Sequence, residues 1–159
     1  MSTNYEFNTA SYSVEEISDF FCTVLDLDRV KLLAPSPITG EKWWAAATVM
    51  EVAEFTDEGR RLQATDTFTS ISFEPRKSMN FEDENRGLAR IIKSVLDLLS
   101  RDNSSSGFLE FYDEIIVIEK RKGQEIVVDP RLIDPNDLDA QNMFAPILKG
   151  YIIEPIDQF

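Results

Sequence analysis

Residues 80–129 read NFEDENRGLARIIKSVLDLLSRDNSSSGFLEFYDEIIVIEKRKGQEIVVD, and their pattern decides the fold. Leu88, Ile91, Ile92, Val95 and Leu99 recur at helical spacing, and Leu96 widens the stripe, so one face of a helix is apolar. Asn80 stands where that helix starts. Glu82, Asp83 and Glu84 fill its first turn, where carboxylates offset the positive end of the helix dipole. Asp97 and Arg101, four residues apart, are spaced to pair at the far end. Residues 108–112 and 115–121 then predict two strands around Asp113-Glu114, and Gly123 allows a second tight turn before 125–128. Such short connections exclude parallel crossovers, so the strands form an antiparallel meander. Helix and sheet can bury their apolar faces on each other, which predicts a two-layer α+β fold.

Outward from that stretch, the N-terminal residues alternate, with Tyr5 and Phe7 set between Asn4, Glu6 and Asn8 as in a half-buried strand. A helix follows. Ser13 and Glu16 have capping-box spacing, and Tyr12 and Ile17 are placed to staple across it. Ile17, Phe20, Phe21, Val24 and Leu25 give this helix one apolar face, ending near Asp26. Cys22, at the flank of that face, reads as a half-buried packing residue.

Residues 29–34 suggest a short strand closed by Pro35-Ser36-Pro37 and Gly40. The stretch 43–52, WWAAATVMEV, favours strand through its Trp pair and Thr48-Val49. Neighbours on a strand point to opposite faces, so at most one of Trp43 and Trp44 belongs to the core. The other is free for an edge or a partner surface, where tryptophan is a frequent anchor. Asp57-Glu58-Gly59 reads as a turn, and 63–74 as a strand rich in Thr, Ser, Phe and Ile that Pro75 stops. Near the end, Asp134 and Pro135 have the cap-then-proline pattern of a short helix running to Pro146. Residues 150–153 read as a last extended piece or a tail. The whole, residues 1–159, is expected to be a single α+β domain: an antiparallel sheet against two main helices plus a short C-terminal helix.

Charge and composition narrow function. The chain carries 16 Lys and Arg against 29 Asp and Glu, a formal net charge of −13. Nucleic acid and anionic lipid are repelled by such a surface, whereas a basic protein is steered towards it. The absence of histidine removes imidazole catalysis and imidazole metal sites. With one cysteine there is no intramolecular disulfide. No apolar run suggests a membrane span, and the polar start lacks the pattern of a secretory leader, so a cytoplasmic location is expected.

No nucleotide-binding glycine loop, CxxC or GxSxG occurs. A carboxylate-dependent hydrolase would need two carboxyl groups about 5–10 Å apart with divergent pKa values, and no pair stands out among the many acids. Asp134, Asp137 and Asp139 invite a calcium reading but miss the spacing of a calcium-binding loop, and helix capping accounts for them more simply. Neither a cofactor nor a metal is expected.

Several of these segments together resemble the SitI-type immunity proteins, small bacterial partners of contact-dependent toxins of the swarming-inhibition kind. The carrying residues are Thr69-Ser70-Ile71-Ser72-Phe73 and Asn85 with the Val95-Leu96-Asp97-Leu98-Leu99 helix end. After these come Phe111-Tyr112-Asp113-Glu114, the strand over 115–120, Gly123, and Ile126-Val127-Val128. Where the family shows an asparagine-glycine turn, this chain has Tyr112-Asp113, and Trp43-Trp44 and Pro155-Ile156 have no clear counterpart. The resemblance implies neutralisation of a cognate toxin by tight binding, without turnover. Exposed acids and aromatics would make the contacts: Trp43 or Trp44, Glu82, Asp83, Glu84, Asp113 and Glu114. Alternatives of another class are the carboxylate hydrolase and a structural or adaptor domain that pairs with itself, as a homodimer, through a strand edge.

Overall fold

A computed structural model describes residues 4–25, 37–39, 43–77, 79–112 and 114–158, with backbone alone for 37–39. The elements in chain order are β1 (Tyr5–Thr9), α1 (Val14–Leu25), β2 (Pro37–Thr39), β3 (Trp43–Glu51), α2 (Thr56–Arg61) and β4 (Thr67–Pro75). They continue with α3 (Phe81–Ser100), β5 (Gly107–Phe111), β6 (Ile115–Lys120), β7 (Val127–Val128), α4 (Leu138–Met143), α5 (Ala145–Leu148) and β8 (Ile152–Ile153). Among the described residues, eight strands form one sheet in the order β2-β3-β4-β1-β5-β6-β7-β8. All neighbours are antiparallel except the short pair β7 and β8. The predicted α+β class and the β5-β6-β7 meander both hold. The strand and turn expected over 29–36 and at Gly40 lie outside the described residues, as does Asp113.

The two faces of the sheet are closed differently. On the front, Tyr5 and Phe7 of β1, Ile71 and Phe73 of β4 and Leu109 of β5 join the apolar stripes of α1 and α3 in one buried cluster. Phe21 packs edge-on against Phe73 at 4.8 Å between ring centres, in the tilted geometry that aromatic pairs favour. Cys22 is half-buried against this cluster. The capping box of α1 forms as expected. Glu16 N donates to Ser13 Oγ at 3.2 Å, and Ser13 N to Glu16 Oε1 at 3.0 Å.

The back face has a smaller apolar cluster of Leu62, Phe68, Phe108, Ile116 and Ile156. It is covered by the end of α2 and by the C-terminal residues 154–158. On the front side, where its register partner is Gly107, Lys120 is buried and pins the loop before β5, its ammonium donating to the carbonyls of Asn103 and Ser105 at 2.7 Å each.

Five local expectations are corrected. Residues 56–61 form α2, not a turn. Gly59 sits so close to Val52 that a Cβ would lie 2.7 Å from its Cγ1. Gln63, at φ 57°, closes the helix through Ala64 N to Gly59 O and Gln63 N to Arg60 O, the paired bonds of a Schellman end. That closure also delays β4 to Thr67. At the C-terminal helix, Asp137 and not Asp134 is the cap, accepting from Asp139 N and Ala140 N. Asp134 instead closes a turn from Asn136 N. Asp97 pairs with Lys93 at 3.6 Å, while Arg101 lies over the Phe20 ring. The strand expected over 125–128 shortens to Val127–Val128.

Candidate functional site

Strand register gathers the acidic groups at one end of the sheet. There β1 begins, β4 and β5 end, and α3 starts after the turn that follows Pro75. Asn80 caps α3 with its side chain, accepting from Asp83 N at 2.8 Å. That bond orients the first turn, and Glu82 projects from it 77% exposed. Arg86 reaches back to both Glu82 (2.8 Å) and Asp83 (3.1 Å). Such exposed pairs contribute little to stability, but they partly neutralise these two acids.

Glu84 points the other way. Its Oε2 accepts from the buried Tyr5 hydroxyl at 3.2 Å, and that hydroxyl also meets Tyr112 Oη at 3.3 Å. Tyr5 has one hydroxyl proton; once it is given to Glu84, Tyr112 must be the donor in the second bond. Burial, then the Tyr112 hydrogen bond and the nearby charge of Glu84, push the Tyr5 pKa far up, so it stays a neutral donor. This chain ties the head of α3 to the β5–β6 turn. Tyr112 sits there at φ 58°, 38% exposed, with its N–H donated to Asn4 O at 2.8 Å. Glu114 is exposed just beyond it.

Of the residues expected at a partner surface, Glu82, Asp83, Glu84 and Glu114 therefore meet at one corner. Trp43 does not. It is only 3% exposed, packed flat on α3 where Gly87 leaves room. A Cβ on Gly87 would lie 2.3 Å from Trp43 Nε1. The anchor role is thereby closed to Trp43 and left to Trp44, half-buried on the back face opposite Glu74.

Three features of the corner escape a reading of the sequence. Phe81, the first residue of α3, is 67% exposed, two turns before the first member of the apolar stripe, Leu88. Glu6 and Glu110 are direct neighbours across β1 and β5, with Glu74 on the same back face one strand over. The hydroxyls of Ser70 and Ser72 and the Asn8 amide donate to Glu6 at 3.2–3.5 Å. Like charges opposite each other oppose sheet formation, and this row lies across the sheet from the α3 head.

At the other end of the sheet lies a cavity of about 680 Å³, lined chiefly by Thr9, Ser11, Tyr12, Thr48, Thr67 and Thr69, with Glu15 its single carboxylate. Among the described residues no group of His, Cys, Asp and Glu is arranged to hold a metal ion, and no helix is long and apolar enough to cross a membrane. Compared with family models, curated proteins and solved structures, the chain matches none.

Proposed function

We propose that this chain is an immunity or inhibitor protein that binds a cognate bacterial toxin in the cytoplasm and neutralises it by contact, without turnover and without a cofactor. One observation carries the reading: the exposed Phe81 and Tyr112 belong to the two segments, the head of α3 and the β5–β6 turn, that the Tyr5 hydroxyl ties together, and the exposed Glu82 and Glu114 flank them in sequence. Aromatic anchors supply desolvated contact area, and surrounding charges steer encounter and set register. The net charge of −13 extends the same attraction over the whole molecule and makes a basic toxin, such as a nuclease, the fitting partner. The resemblance to SitI-type immunity proteins supports the same activity.

The test is co-purification of the chain with the product of the neighbouring reading frame, followed by growth rescue of cells that express that product. A stable one-to-one complex and restored growth are expected. Absence of both would refute the proposal.

A further inference from the structure

Residues 154–158 do not simply trail over the surface. They sit in a built seat on the back of the sheet. Glu154 N donates to Val128 O at 3.0 Å, extending the β7–β8 pairing by one step. Asp129, 1% exposed, accepts Ile156 N at 3.0 Å, and Arg61, 8% exposed, donates to Asp157 O while pairing with Glu119. The Ile156 side chain enters the apolar socket made by Leu62, Phe68, Phe108 and Ile116.

At the far end Gln158 acts as a substitute strand. Its Oε1 accepts from Ile116 N at 2.7 Å, and its Nε2 donates to Ile116 O at 3.2 Å. Pro130 follows β7 without an N–H to extend the ladder, and the carboxamide supplies both partners instead. Apart from Ile156 and Gln158, the seat addresses only the backbone of what lies in it. Its buried charges come from α2 and from the turn after β7, far from the tail in sequence.

We propose that this seat is a peptide-binding site, and that the ligand it takes in trans is the same C-terminal segment of a second copy of this chain. An occupant must present an extended backbone with a branched apolar side chain and, two positions on, a carboxamide. A second copy supplies these groups in the right order. The segment joins the body through Gly150, at φ 94°, and two-residue β8, whose only strand partner among the described residues is the equally short β7. In the monomer the tail competes from within its own chain, at an effective concentration of order millimolar for so short a tether, so exchange between copies belongs to high protein concentration.

The experiment uses the full chain carrying Ile156→Asp, which empties the socket, and a fluorescent peptide of residues 151–159. The peptide should bind this variant one-to-one, and bind the intact chain at least about tenfold more weakly because the resident tail competes. No binding to an Ile156→Asp chain that keeps its near-ultraviolet signal overturns the site. Equal binding of a scrambled peptide shows a seat that reads any backbone, which overturns the assignment to a second copy.

Should the variant unfold, hydrogen exchange on the intact chain decides. Ile116 and Ile156 amides should open together and before Phe7, and opening only with Phe7 overturns the proposal. Light scattering of the intact chain towards millimolar concentration should then show a dimer that an excess of the 151–159 peptide dissociates by filling the seats. A strict monomer, or a dimer indifferent to the peptide, removes the second-copy claim.

Discussion

The two faces of the sheet are held by different chemistry. On the front, side chains from α1, α3 and six strands interlock without a buried charge at the centre. On the back, a five-residue apolar patch is finished by polar clamps: Arg61 with Glu119, Asp129 with Arg131 and Ile156, and Gln158 with Ile116. A packed apolar face tolerates loss of volume poorly. A clamped face tolerates loss of one partner poorly, yet can survive loss of both. The acids at the α3 corner take part in neither cluster.

The sharpest way to break this contrast is a pair of truncations. Phe7→Ala, at a wholly buried position, should cost about 3–5 kcal/mol in denaturant unfolding. Arg61→Ala should also cost stability, because Glu119 loses its closer partner and the Asp157 carbonyl its donor, with Arg121 at 3.5 Å the cation left to Glu119. Arg61→Met combined with Glu119→Leu should then lose far less than the two single changes added together. An additive double-mutant cycle would mean that the back face is held by packing alone.

A smaller loss, about 1–3 kcal/mol, is expected for Gly87→Ala, since the new methyl would meet the buried Trp43 ring. A change in Trp43 fluorescence should accompany it. An unchanged melting point would show that the front face yields more readily than its packing implies.

Acid sharpens the contrast further. Burial works against the Asp129 carboxylate, but hydrogen bonds from the Arg131 side chain, the Arg131 N–H and the Ile156 N–H outweigh it and hold the pKa below the ordinary carboxylate value. The folded state therefore binds this proton less readily than the unfolded chain. Its contribution is complete above the unfolded pKa, near 4, and is lost as pH falls through the depressed folded value. Asp129→Asn should flatten that acid limb of the stability curve. An unaltered limb would place the acid sensitivity elsewhere. The smallest effect on stability, within about 0.5 kcal/mol, is expected for Glu82→Lys with Glu114→Lys, because both side chains are exposed.

How far the molecule can be read from its residues follows the same division. The front-face elements announce themselves locally. The stripe of α3, its Asn80 cap, the Ser13–Glu16 box and the meander turns all lie within one or two turns of chain. Helix α2 hides because six residues containing Gly59 carry no period, and only Val52 and the Gln63 closure explain it. The tail seat hides because Arg61 lies 96 residues from Asp157 and Ile116 lies 42 from Gln158. At the corner, the acids of α3 were visible as a run. Their meeting with Tyr112 depends on Tyr5, which lies 79 residues from Glu84 and 107 from Tyr112. The burial of Trp43 is likewise a matter of which strand face meets α3, and no local pattern states it.

The central claim is that the α3 corner is a binding surface and not a part of the scaffold. Its most direct test is the association rate with the product of the neighbouring reading frame, followed by stopped flow over a range of salt. The intact chain should associate fast at low salt and slow steeply as salt rises, while the Glu82→Lys, Glu114→Lys chain, equally stable, should associate slowly throughout. Equal rates and equal salt dependence for the two chains would contradict the account.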